Sequence, residues 1–478
     1  MNLSRTSRLL LLVMLTLCAS AGAAERAVDR ATMQKLSALH GNEGLRLDAF
    51  PVGPQHNAAL RFERVQIYAK DAPLYVITAS GKQQLPRSER IFLRARSDDG
   101  STRVAMSLNA DGSFAEGNGI GPDGSFALEA HADANGTHAF SARTLESTLP
   151  SPDAFEFKCG NESVQLDIHS VTHTPDLATE LRNATSGATA PASNAIVPVG
   201  APQATQAFRL AVIAIDTDSL FMSRLFSNNT TNATNWIASM FNTMNTMYEA
   251  DLNVQLLIGT TILRTSSAGD PYTGLSSGGA SGADLNLFGN YWRLNETGVS
   301  RSFAILLSGA IASSGGGCSA AGIAWIDQYC QKGFVGNGGA DTIGSYSVNK
   351  VCTSLGVDPN GVFDAHIVGH EIGHNFGASH THCTNISTGA SDVATNTIDQ
   401  CYNGEGASHT TGGQCYDGPT SCPAGQSAGT IMSYCNVSGC GTQNQLHFHP
   451  THINSVLLPA IAANASCLDL IFQDKFGG

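Results

Sequence analysis

Basic side chains are scarce in this 478-residue chain and nowhere gather into a cluster. With 26 Lys and Arg against 39 Asp and Glu, the formal net charge is −13. That balance argues against a nucleic-acid or anionic-membrane partner, since both need a basic footprint. Charge of either sign is thin, at 14% of residues, while glycine reaches 50 residues, a composition that suits loop-rich exported proteins better than helical cytosolic ones. No stretch after the N-terminus is long and apolar enough to span a bilayer. Cysteine is nearly absent from the first half, where only Cys18 and Cys159 occur, and ten more crowd between Cys318 and Cys467. An even ten permits five bridges, whose connectivity the sequence does not disclose.

The N-terminus supplies a setting for those bridges. Arg5 and Arg8 precede an apolar run from Leu9 to Leu17, and small residues follow as Ala21-Gly22-Ala23. This reads as a secretory signal peptide over residues 1–23, so the expected location is secreted and extracellular, where disulfides persist. A lipoprotein signal at Cys18 is disfavoured by bulky Leu17 before it.

Segments LRFERVQIYA, PLYVITA, RIFLRAR, TRVAMSL and SFALEAHA alternate in strand fashion between turn signals such as SDDG and NADG. Residues 24–173 are therefore expected to be β-rich. Residues 174–206 are rich in Ala, Thr, Ser and Pro and read as a linker. From 207 to 470 strand and helix patterns alternate: AFRLAVIAID, a helix over TNWIASMFNTMNTMYEADL, then NVQLLIG, ADLNLFGNYWRL and SFAILLSG. That order predicts an α/β fold with a mixed sheet. Ile237, Met240, Phe241, Met244, Met247 and Tyr248 fall at helical spacing and are expected in the core. Residues 471–478 form a tail.

The chemistry concentrates in HEIGHNFGASH, His370 to His380. The pattern predicts a helix from Val362 to Phe376 with Gly377 as its stop. On that helix His370 and His374 lie one turn apart on one face, a spacing that can put two imidazole nitrogens on a single zinc ion. Glu371 stands next to the first histidine, placed to reach a water at the metal as general base. Gly377 tolerates a left-handed backbone, so the chain can turn and return His380 as a third ligand. Three imidazoles leave one position open, which is the arrangement of a catalytic rather than a structural zinc. The plainer alternative is three histidines near a helix end with no metal. His366 reads as a packing or hydrogen-bonding neighbour, and His382, His409, His447, His449 and His452 show no ligand spacing.

The motif H-E-x-x-H-x-x-G-x-x-H resembles that of the metzincin zinc endopeptidases, and the chain is most similar to their adamalysin, or reprolysin, group. The resemblance implies a metzincin-like protease domain, with an active-site helix and a methionine turn, behind a β-rich prodomain. Within GTIMSYC, Met432 matches that turn and would form an apolar floor below the histidines. Tyr434 resembles a tyrosine of astacins and serralysins that approaches the zinc and stabilises the oxyanion, and packing of the turn is its other reading. GIAWI from Gly322 resembles the clan's edge strand, which pairs with extended polypeptide substrates. Cys159, in a KCG triplet similar to the inhibitory segment of adamalysin prodomains, would fill the zinc's open position in the precursor; a cysteine with no metal contact is the alternative. One departure is Thr381, where adamalysins usually carry Asp. Calcium is compatible with the resemblance, though no motif locates it.

The function so implied is peptide-bond hydrolysis in extracellular proteins. A thermolysin-like site would need a later glutamate as third ligand, and Glu405 in YNGEGAS is the only one after His380. A binding or adhesion module on an inactive metzincin fold is the rival from another class.

Overall fold

The computed structural model describes residues 25–41, 43–144, 155–159, 209–310, 318–336, 341–352, 362–405, 415–422, 429–436, 440 and 445–470. The expected signal segment, the linker 174–206 and the tail 471–478 lie outside them.

From Arg26 to Thr144 the chain forms ten strands and one helix: β1 (Arg26–Val28), α1 (Arg30–Ser37), β2 (Gly44–Gly53), β3 (His56–Arg64), β4 (Leu74–Thr78), β5 (Gly81–Leu85), β6 (Ile91–Ser97), β7 (Arg103–Leu108), β8 (Phe114–Gly121), β9 (Gly124–Ala132) and β10 (His138–Thr144). Eight of these make an antiparallel sheet in the order β1-β10-β9-β8-β7-β6-β3-β2. The period-two alternation read in the sequence is real. On β6, Leu93 and Ala95 enter a core with Phe50, Phe62 and Phe140, whereas Phe92 and Arg94 between them face the other way, toward the second half of the chain.

A second sheet carries the site. Its strands include β11 (Phe155–Cys159), β12 (Arg209–Thr217), β13 (Val254–Arg264), β14 (Phe303–Ser308), β15 (Cys318–Ala324) and β18 (Tyr346–Lys350). A two-stranded ribbon of β16 (Phe334–Val335) and β17 (Thr342–Ile343) stands apart. The order is β11-β15-β18-β14-β12-β13-β4-β5. β12, β13, β14 and β18 run parallel and β15 antiparallel to β18, a mixed sheet as expected. All six residues of β14 are buried, which fits a central strand covered on both faces. Helices α2 (Thr230–Leu252) and α4 (Val362–Asn375) cover one face, through Ile213, Ile215, Ile305 and Leu307. On the opposite face α3 (Gly282–Asn295) packs Leu285, Phe288 and Trp292 against Ala214, Leu306 and Ile323.

The two halves share this sheet, and sequence reading did not foresee it. LRFERVQIYA does not form one strand: β3 ends at Arg64, and Ile67 turns away to accept a 2.7 Å hydrogen bond from the Ile258 backbone N–H of β13. The β4–β5 hairpin then pairs in parallel with the end of β13, from Thr261↔Leu74 to Arg264↔Ile77, covering what would otherwise be an open sheet edge. At the other edge β11 lies parallel along β15. Helix α2 is consequently buried on two sides. Ile237, Phe241, Met244 and Tyr248 belong to the core as expected. The opposite stripe is polar and bonded to the first sheet and to the connection leading into it: Asn235 to Ser88 at 2.6 Å, Ser239 to Arg90 at 2.9 Å and Thr243 to Asn118 at 2.7 Å.

Ten cysteines were expected to pair within the second half. The described bridges are Cys330–Cys467, Cys383–Cys415, Cys401–Cys435 and Cys422–Cys440, and Cys352 is also disulfide-bonded. Among the described residues no helix is long and apolar enough to cross a membrane.

Since the β4–β5 hairpin, the first sheet and β11 all hold on independently of residues 174–206, cutting the chain there is expected to leave both pieces together. Burial of Leu74 and Val76 alone contributes about 1.5–3 kcal/mol each. With a protease site inserted in that segment, size-exclusion chromatography after cleavage should show one co-eluting species at micromolar concentration. Two separate peaks would mean that the shared sheet does not hold the halves together.

Candidate metal centre

Helix α4 places the first two histidines, and the way it ends places the third. At its C-terminus the Ala378 N–H donates to Gly373 O at 3.0 Å and the Gly377 N–H to His374 O at 2.8 Å, with Gly377 at φ +111°. This paired capping pattern reverses the chain and needs a residue tolerant of positive φ. His380 returns three residues later, and its Nε2 lies 3.2 Å from Nε2 of His370 and 3.2 Å from Nε2 of His374.

The partners of the other ring nitrogens fix which nitrogen carries the proton. His370 Nδ1–H donates to Ile431 O at 2.8 Å and His374 Nδ1–H to Ala378 O at 2.7 Å. A carbonyl can only accept, so both protons sit on Nδ1 and both Nε2 atoms present bare lone pairs. Burial, and then the neighbouring histidines, hold His370 and His374 well below their ordinary pKa, which keeps them neutral. Bare lone pairs this close repel unless a cation lies between them. A tetrahedral zinc with bonds of 2.0–2.1 Å separates its nitrogens by about 3.3 Å, so the donor set fits zinc.

Cys159 closes the cluster. Its Sγ lies 3.5 Å from His374 Nε2, and the four residues Cys159, His370, His374 and His380 offer ligand atoms within 4.8 Å of one another. A sulfur and a nitrogen on one tetrahedral zinc stand about 3.6 Å apart. Pairing with β15 brings the thiol here, in the register Cys159↔Gly322. Tyr434 secures the same residue: its hydroxyl accepts the Cys159 N–H at 2.9 Å and lies 3.3 Å from the Cys159 carbonyl oxygen.

Glu371 is buried beside them. Oε2 is 3.8 Å from Cys159 Sγ, and Oε1 has no hydrogen-bond partner among the described residues. Burial pushes its carboxyl well above the usual range. Gly322 makes the room, since a Cβ there would come within 2.2 Å of Glu371 Oε1.

The floor is the turn around Met432. A Cβ on Gly373 would meet Met432 Sδ at 2.8 Å, which places the thioether against α4 beside Gly373. Thr381 donates its N–H to Met432 O at 3.1 Å, and Ser433 Oγ, which Thr381 contacts, donates to Asp399 at 2.8 Å. A carboxylate therefore reaches this turn although position 381 is threonine. His366 Nε2 bonds Ile431 O at 3.2 Å, and burial lowers it to about 4. His449 caps the last helix by accepting from the Thr451 N–H.

Two participants were missed. Glu405, considered only as a thermolysin-type ligand, stands behind His380 with Oε2 2.9 Å from Nδ1, and His382 Nε2 lies 2.5 Å from the same oxygen. Burial opposes its ionisation, but His380 and His382 outweigh that and hold it well below the usual carboxylate range. The sole glutamate after His380 was the available signal. For calcium no site emerges: none of the three candidate metal groups among the described residues is built of carboxylates alone, whereas calcium takes six to eight oxygens.

Residues 207–448 match a reprolysin-type family model, metallo-peptidase family M12. A search of curated proteins finds no match.

The close approach at Gly322 generates a test. Gly322→Ala is expected to cost about 1–3 kcal/mol as overpacking, and at about 2–4 °C per kcal/mol the Tm of the full chain should fall by roughly 2–12 °C in calorimetry. An unchanged Tm would mean that Glu371 gives way freely.

Proposed function

As a member of metallo-peptidase family M12, the chain is a metallopeptidase by descent, and we propose that it is a secreted, zinc-dependent endopeptidase made as a latent precursor that acts on extracellular proteins. The carrying observation is the convergence of three imidazole Nε2 atoms with Glu371 and the Cys159 thiol at one buried point. His370, His374 and His380 would hold the zinc, with Cys159 as fourth donor in the precursor. When bound there, zinc supplies Lewis acidity toward the scissile carbonyl and eases removal of a proton from water.

The chain's own residues do the rest. With Cys159 withdrawn, Glu371 takes a proton from the attacking water and delivers it to the leaving amine. Tyr434, released from the Cys159 backbone, turns its hydroxyl to the developing oxyanion. The β15 edge that β11 covers in the precursor accepts an extended polypeptide by main-chain hydrogen bonds. Latency in this reading is competitive: Cys159 and β11 occupy the positions that water and substrate need. Met432 shapes the floor and binds nothing.

Proteolysis of an unfolded protein substrate, abolished by a chelator and restored by zinc, tests the reading. No cleavage by zinc-loaded protein freed of its N-terminal region would favour the binding-module alternative. Glu371→Gln should retain zinc and lower kcat by about 10²–10⁴-fold; near-parental turnover would remove it as the base. Cys159→Ala should raise basal proteolysis of the uncut precursor, and a thiol-modifying reagent should activate the parent but not this variant. Equal latency in the two would show that β11 blocks the cleft without the thiol.

A further inference from the structure

The three histidines are not held alike. His370 and His374 lean on backbone carbonyls, whereas His380 alone leans on a charge: its Nδ1 lies 2.8 Å from one oxygen of Glu405 and 2.9 Å from the other. Glu405 is nearly fully buried, and among the described residues its other nitrogen partner is His382, whose Nε2 contacts Oε2 at 2.5 Å. The sulfur of Cys383 sits 3.1 Å from that oxygen; bound to Cys415, it has no proton to give, so this is packing. The rings of His380 and His382 are stacked at 5.4 Å with 12° between their planes. His382 thus steers the carboxylate without entering the cluster of Nε2 atoms.

This arrangement has consequences for the third ligand. His380 has left the helix and stands on a turn, so nothing in α4 sets its ring orientation. A carboxylate can only accept, so His380 Nδ1 carries a proton, and Nε2, facing the other two, is the nitrogen left to meet a cation. The negative charge behind the ring also makes that nitrogen a stronger donor to a cation. We propose that Glu405, held in place by His382, is a positioning residue of the metal centre that orients His380 and sets how tightly the site retains zinc. The proposal rests on the zinc reading given above.

Zinc itself is the probe, on the full-length precursor. Parent, Glu405→Gln and Glu405→Asp are equilibrated in chelator-buffered zinc and the bound metal is measured by mass spectrometry. Glu405→Gln is expected to weaken zinc binding by about 10–100-fold, with recovery in Glu405→Asp. In the cobalt-substituted protein its visible absorption bands should shift, which a purely structural defect elsewhere would not produce. His382→Phe, which removes the second contact and keeps Glu405, should weaken zinc in the same direction by a smaller factor and serves if Glu405→Gln does not fold. Parental zinc affinity in Glu405→Gln, or in His382→Phe where the former is unfolded, overturns the inference while leaving the three-histidine site intact. A parent that binds no zinc overturns both.

Discussion

Three buried imidazoles converge with His380 Nε2 3.2 Å from the Nε2 atoms of both His370 and His374, and that juxtaposition is the constraint around which the rest is arranged. Apposed lone pairs are unfavourable by themselves, so each ring is locked from behind. Ile431 O, Ala378 O and Glu405 take the three Nδ1 protons. Their positions depend in turn on the methionine turn, on the capped end of α4 and on a loop closed by the Cys383–Cys415 bridge.

The same point organises the larger architecture. The N-terminal half supplies one edge of the second sheet through β4–β5 and reaches the opposite edge through β11. Between those grips, the polar stripe of α2 is bonded to the first sheet and to the connection leading into it. A polar stripe can stand in water when the cover leaves, whereas an apolar one could not without a larger penalty. Under the proposed precursor reading, this polar stripe is the part of the contact that separation would expose at least cost. In the proposed cycle, departure of β11 uncovers the β15 edge, the water position and the Tyr434 hydroxyl together.

The sequence carried the convergence of these side chains better than it carried the arrangement of the two halves. His370, Glu371 and His374 were legible because a helix turns spacing into direction, and His380 because Gly377 is the residue that a left-handed cap requires. The elements around them followed from periodicity. Helix α4 was expected from Val362 to Phe376 and runs from Val362 to Asn375. Glu405 and His382 were opaque for the opposite reason. They meet His380 through a loop and a disulfide, and such contacts leave no period in the chain. LRFERVQIYA misled because its apolar alternation continues past Arg64 while its partner changes from one sheet to the other. Local patterns report which residues are buried, not which strand buries them.

Zinc-edge X-ray absorption of the uncut precursor tests the central claim most directly. The account predicts three nitrogen neighbours at about 2.0 Å and one sulfur at about 2.3 Å, with the sulfur shell lost in Cys159→Ala. A shell of nitrogen and oxygen alone in the parent would contradict it.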